Sequence, residues 1–249
     1  MQLIKCLLSL YTFLLFWGLI ALLVMPSLLL YFIVYPFKKH PEDVFQWCAS
    51  IIFKIFFKLQ PLIILKFKLP STIPNGVVFV ATHQSSLDYP LLGSFIPRYL
   101  TITNMNTELI PFVSYVSKLI GVRYMNSKDL GKISAVYKEL EDALKENRNI
   151  IIFPEGTRGD GKRLKPFKKS AFRLAKNCNK PIVPIIIDGT GKVVAKGDPC
   201  FKTVKRTEVL IKMLEPVYPE NFSSEDEMLQ FVKEKMEYKL HRNNDKGKE

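Results

Sequence analysis

One histidine and one aspartate, five residues apart, offer the clearest chemistry in the sequence. His83 follows the apolar run GVVFVAT and stands in the segment THQSSLDYP, which also carries Asp88; the other histidines are His40 and His241. Inside one continuous helix, side chains five positions apart project about 140° from each other. The two can therefore meet only if His83 lies in a loop and Asp88 in the first turn of a helix, for which Ser85 and Ser86 are good N-cap residues. A carboxylate accepting the imidazole N–H fixes the tautomer and makes the other ring nitrogen a base able to take a proton from an alcohol. That is half of a nucleophilic triad. Ser85 and Ser86 stand too near His83 in sequence to be attractive nucleophiles, and the chain has no G-x-S-x-G elbow. The attacking oxygen is thus expected to come from the substrate.

Taken singly, a lone histidine is usually a satisfied core residue and an aspartate at a helix start a cap. A second polar segment changes the balance: the apolar run NIIIF leads into Pro154, Glu155, Gly156, Thr157 and Arg158. Gly156 permits close backbone approach, and the Arg158 guanidinium matches a phosphate. From Arg158 to Lys176, eight cations (Arg158, Lys162, Arg163, Lys165, Lys168, Lys169, Arg173, Lys176) face Asp160 alone within nineteen residues. Such a run is ordinarily a solvated helix face; here part of it is expected to meet anionic headgroups, or the phosphates or acidic surface of another partner.

The elements that must position these groups are short β-rich runs alternating with helical ones. Expected strands cover 62–69, 76–82, 98–103, 121–126, 149–154, 181–187 and 207–214. Ile133, Val136, Tyr137, Leu140 and Leu144 form a helical stripe, and Met228, Val232, Met236 and Leu240 another after Ser223. The fold class is α/β, a mixed sheet flanked by helices and preceded by an N-terminal membrane-embedded helical segment.

Residues 6–37, the 32 positions between Lys5 and Lys38, carry no charge. As one helix they would reach about 48 Å against a hydrocarbon core of about 30 Å. Pro26 and Pro36 interrupt the run, so a kinked span and a re-entrant hairpin both satisfy it, the hairpin being preferred. The run is too long for an ordinary signal peptide and lacks a good cleavage site. Residues 43–59 fit an amphipathic interfacial helix, although Lys54 and Lys58 would serve a partly buried globular helix nearly as well. The organisation expected is membrane-binding helices over 1–60, a catalytic α/β domain over 61–242 and a frayed tail over 243–249. The net charge of +13, joined to the apolar N-terminus, favours membrane lipids over nucleic acid, which is not expected as a partner. Lys38 and Lys39 put the following domain on the cytoplasmic face. Four scattered cysteines without a C-x-x-C pair indicate neither zinc nor a disulfide framework.

THQSSLD, FPEGTR and the later IVPI resemble the glycerolipid acyltransferase family that includes 1-acylglycerol-3-phosphate acyltransferases, over about residues 62–215. The paired motifs, about seventy residues apart and in this order, are far more specific than either alone. The resemblance implies acyl transfer from a thioester, acyl-CoA or acyl carrier protein, to the free hydroxyl of a lysophospholipid, foremost lysophosphatidic acid, without an acyl-enzyme, metal or other cofactor. It implies His83 as general base and Asp88 as its orienting partner. It further implies acceptor binding by Glu155, Gly156, Thr157 and Arg158, and a pocket role for Pro184. Related enzymes usually carry Arg where Ser127 stands, so phosphate binding is expected to fall to Arg123, Lys128 or the basic run; the glycine common in the FKKSAF segment is Ser170. Another lysophospholipid or lyso-aminolipid as acceptor, a hydrolase using Ser85 or Ser86, and an inactive scaffold are the alternatives.

Overall fold

The computed structural model describes residues 2–37, 40, 43–104, 114, 117–125, 129–161, 163–195, 197 and 201–245. Seven strands form one sheet: β1 (Ile63–Lys68), β2 (Val78–Ala81), β3 (Tyr99–Asn104), β4 (Val122–Met125), β5 (Asn149–Ile152), β6 (Ile182–Asp188) and β7 (Thr207–Met213), in the order β1-β7-β6-β2-β5-β3-β4. All neighbours are parallel except β6 and β7, so the sheet is mixed as expected. Each strand falls within a residue or so of an expected run. The central strands are buried on both faces, which is why they read as unbroken Val and Ile rather than as alternation.

Helices among the described residues include α1 (Gln2–Val34), α2 (Asp43–Lys58), α3 (Asp88–Gly93), α4 (Leu130–Lys145), α5 (Ser170–Cys178), α6 (Thr190–Val193) and α7 (Glu225–Asp245). The period-two geometry of a strand sends Val78, Val80, Ile150 and Ile152 to one face, where they pack with Leu140, Leu144, Phe172, Met228, Val232, Met236 and Leu240 of α4, α5 and α7. Phe79, Ala81 and Ile151 face the other way, onto Leu91 and Leu92 of α3 and Phe56 and Phe57 of α2. The whole C-terminal stripe is therefore core. In α4 the stripe divides: Leu140 and Leu144 are buried, while Tyr137 looks into a cavity described below.

A hairpin inside residues 6–37 does not form. α1 runs unbroken through Pro26, and the chain reverses after it, so that α2 returns alongside. Phe16 stacks on Phe53, Tyr31 meets Phe45 at a tilt, and the Tyr11 hydroxyl donates to the Leu59 carbonyl at 3.1 Å, an antiparallel pairing along most of α1. The helix is long and apolar enough to cross a membrane, with mean hydropathy 2.5 in its most apolar stretch, and Leu3, Leu7, Phe13, Leu22, Met25, Leu29 and Phe32 are exposed. α2 buries Val44, Phe45, Ala49, Ile52, Phe53, Phe56 and Phe57, and Arg148, beside β5, pairs with its Asp43 at 2.8 Å. Its inner face thus packs into the globular body, while Trp47 and Ile55 stay exposed on its outer face. Lys38 and Lys39 lie outside the described residues.

Candidate active site

Three neighbouring parallel strands, β6, β2 and β5, end on the same side of the sheet, and each carboxyl end releases polar residues. This is where an open α/β sheet gathers its reactive groups. β2 runs into Thr82 and His83, and α3 starts at Asp88. The loop-then-helix geometry brings His83 Nδ1 to 2.9 Å from Asp88 Oδ2. The serines do not cap α3 by side chain. Instead the Asp88 carboxylate reaches back, Oδ2 accepting the Gln84 and Ser85 backbone N–H groups at 2.6 and 2.8 Å, because an anion takes those donors more strongly than a hydroxyl would. Asp88 is wholly buried, whereas the His83 ring is about a fifth exposed. With Nδ1 committed to the carboxylate, Nε2 is the nitrogen left to act as a base. The ring lies over Phe153, centroids 4.2 Å apart, which restricts its rotation.

The FPEGTR loop after β5 clasps the histidine loop. Glu155 accepts the His83 N–H on Oε1 at 3.2 Å and the Lys165 N–H on Oε2 at 3.1 Å, and the Gly159 N–H donates to the His83 carbonyl at 2.7 Å. Burial pushes the Glu155 carboxyl above the usual range, against the pull of those two N–H groups. Both of its oxygens are thus engaged in bracing the loops. Gly156 has φ +66°, a left-handed conformation that favours glycine, and the end of the Lys168 side chain lies over it.

His83, Ser86, Gly156, Thr157, Arg158 and Lys168 form the polar end of a cavity of about 870 Å³. Its remaining wall is largely apolar: Trp17 and Ile20 of α1, Ala49, Ile52 and Phe53 of α2, Ile102 of β3 and Val122 of β4 among them. That volume lies in the range of sites that enclose small ligands. Tyr89, also in the wall, donates to the Ile120 carbonyl at 3.3 Å and bonds the Tyr99 hydroxyl at 3.1 Å. Burial pushes Tyr99 up to about 12 and Tyr89 well above its ordinary value, so both phenols stay neutral.

Other expected residues go elsewhere. Arg123 gives its Nε to Glu139 at 2.7 Å and another N–H to the Lys118 carbonyl at 3.0 Å, and it points away from the cavity that its strand neighbours Val122 and Tyr124 line. Pro184 is buried mid-sheet in β6, outside the cavity wall. The β6–β7 ladder breaks beside it, between Leu214 and Val217, where a residue without an N–H is tolerated. Lys128, like Ser127 and Lys162, lies outside the described residues. Ser85 is fully buried with its hydroxyl accepting the Leu87 N–H, which removes it as a nucleophile.

The basic run divides by partner. Lys169 and Arg173 pair with Asp226 and Glu225 of α7, and Lys176 donates to the Phe222 carbonyl, so these three dock a helix. Arg158 and Lys168 face the main cavity, and Arg158, Arg163 and Lys165 join Lys202 around a second, basic one of about 470 Å³. Gln84 and Thr190 were not singled out from the sequence. Gln84 accepts the Gly189 N–H and donates to the Ile187 carbonyl, and Thr190 donates to Asp88, all across more than a hundred residues. A polar cluster, DGTG, directly after the apolar run of β6 was the available signal.

Among proteins of known description, the chain is 33% identical over 152 residues to the 1-acyl-sn-glycerol-3-phosphate acyltransferase of Saccharomyces cerevisiae, covering 59% of this chain and 49% of that one. It is 32% identical over 150 residues to the chloroplastic 1-acyl-sn-glycerol-3-phosphate acyltransferase BAT2 of Brassica napus, covering 60% and 43%. The chain thus spans about half the length of these relatives. In structure it is similar to the 1-acyl-sn-glycerophosphate acyltransferase PlsC of Thermotoga maritima, with a TM-score of 0.77 at 23% identity over 98% of this chain and 97% of that one, which shows a shared fold. The model of the family described as Acyltransferase matches residues 65–188, a stretch that holds the loops after β2 and β5 and ends with β6. The chain belongs to the Acyltransferase family.

Proposed function

We propose that the chain transfers a fatty acyl group from an acyl thioester to the free hydroxyl of 1-acyl-sn-glycerol-3-phosphate, forming phosphatidic acid. The observation that carries this reading is a tethered imidazole at the junction between two cations and a long apolar cavity: His83, held by Asp88, with Arg158 and Lys168 on one side and the walls of α1, α2, β3 and β4 on the other. Relatives at about one-third identity bear the name of that activity.

His83 Nε2 takes the proton of the acceptor hydroxyl as its oxygen attacks the thioester carbonyl. The C–S bond then breaks, an ester C–O bond remains, and the thiolate leaves with the proton held by the imidazolium. The balance needs no covalent enzyme intermediate, metal or redox cofactor. Arg158 and Lys168 receive the acceptor phosphate, with Gly156 and Thr157 shaping the loop that presents them. The apolar cavity takes the donor acyl chain, and the basic cavity beside Arg158 suits the phosphates of an acyl-CoA. α1 lies in the membrane with the catalytic body on the cytoplasmic face, the side favoured by Lys38 and Lys39.

The test is acyl transfer by the full chain in liposomes, from labelled acyl-CoA and from labelled acyl carrier protein, to a panel of lysolipids. Label in phosphatidic acid is the expected result. Label confined to another lipid would replace the acceptor, and release of free fatty acid alone would replace the reaction.

A further inference from the structure

The His83–Asp88 pair has a third member from a distant part of the chain. Resting on the transfer reaction proposed above, we infer that Thr190 is a positioning residue that sets the angle of the Asp88 carboxylate and thereby of His83. Asp88 Oδ2 is shared by His83 Nδ1 and the Gln84 and Ser85 N–H groups, while Oδ1 accepts the Thr190 hydroxyl at 2.6 Å. A carboxylate that is wholly buried must have its oxygens satisfied, and each charge-assisted bond also fixes its plane. With Oδ1 held from one side and Oδ2 from the other, the carboxylate cannot swing away from the ring.

The local sequence is built to deliver that hydroxyl. β6 ends at Asp188, and Gly189 follows with φ +102°, where a Cβ would lie 2.3 Å from the Glu208 carbonyl oxygen. Only glycine can make this turn, and it swings the chain so that the next residue, Thr190, opens α6 against Asp88. Thr190 is 1% exposed, so its proton has Asp88 rather than water as a partner. The preceding residue but two, Ile187, accepts from both Thr82 Oγ1 at 2.8 Å and Gln84 Nε2 at 3.0 Å. The end of β6 therefore grips the histidine loop at three points. Thr190 lines neither cavity, so it acts through Asp88 and not on substrate.

The experiment compares kcat and KM for acyl transfer to lysophosphatidic acid by the full-length wild type, Thr190→Val, Thr190→Ser and Asp88→Asn, and by the Asp88→Asn, Thr190→Val double variant. Melting curves check that each is folded, and Thr190→Ala replaces Thr190→Val should the latter fail to fold. Losing a charge-assisted hydrogen bond is expected to lower kcat about 10- to 100-fold, with both KM values within about twofold. Thr190→Ser should return to within about threefold of wild type, and in the Asp88→Asn background Thr190→Val should cost less than about threefold, since the route through Asp88 is already damaged. An unchanged kcat in folded Thr190→Val, a Thr190→Ser variant as impaired as Thr190→Val, or losses that simply multiply in the double variant would overturn the inference while leaving the reaction standing. Absence of transfer in the wild type would instead overturn the reaction on which it rests.

Discussion

The two ends of the main cavity are built on opposite plans. Behind the polar end, His83, Asp88, Gln84, Glu155 and Thr190 come from three strand ends and are tied to one another by bonds of 2.6 to 3.2 Å. At the other end, Trp17, Ile20, Ile52 and Phe53 come from two long helices that meet each other largely through ring contacts and apolar packing, with much of α1 left bare. The difference suits the two tasks of the proposed reaction. A proton transfer needs fixed geometry, which short, directional bonds supply. Accepting a hydrocarbon chain needs area and little direction, which apolar side chains supply.

Breaking the polar end should cost turnover. His83→Ala removes the proposed base and should lower kcat by about 10²- to 10⁴-fold with KM little changed, measured in the same liposome assay. Asp88→Asn keeps the shape but sets a neutral amide against the ring and should lose about 10²-fold in kcat. A variant of either residue with near-normal turnover would remove the polar end from the chemistry. Arg158→Ala, at the junction, should raise the acceptor KM by about tenfold and leave kcat largely intact. A pure kcat loss would place its guanidinium on the transition state.

Altering the apolar end should instead change which substrates are used. Ala49→Leu adds three carbons to the wall, and each methylene of lost chain burial is worth about 0.8 kcal/mol, roughly fourfold. The preference for long over short acyl donors should fall by about that factor or somewhat more, with short-chain turnover held. The smallest effect expected concerns Glu155. Its folded-state carboxyl titrates above its unfolded value of 4.5 because burial disfavours the charge. The protonated form therefore contributes stability that is fully present below that value and is lost as pH rises through the folded one. Glu155→Gln should flatten the dependence of Tm on pH in the window just above 4.5, relative to wild type; parallel curves would show that the carboxyl titrates normally.

The sequence was most legible where physics is local. The seven strands show as runs rich in β-branched and aromatic residues, and the His83–Asp88 contact follows from five-residue spacing across a loop and a helix start. The two motif loops meet because β2 and β5 are neighbours, a pairing no local pattern reveals. The partner of Thr190 is hidden for the same reason, being 102 residues away, although DGTG after the apolar run marks its strand end. Arg123 misled because a cation near a motif says nothing of which face of β4 it occupies, and its neighbours Val122 and Tyr124 take the cavity side. Pro26 misled in another way: apolar packing against α2 along most of α1 outweighs the hydrogen bond that a proline removes from a helix.

The most direct test of the account is a single-turnover measurement on wild type and His83→Ala bound to the same liposomes, recording lysophosphatidic acid binding and the rate of acyl transfer together. The account predicts equal binding in the two proteins, with transfer fast in wild type and reduced by at least about 10²-fold in His83→Ala. Transfer at the wild-type rate in His83→Ala would contradict it, because the tethered imidazole would then have no part in the chemistry.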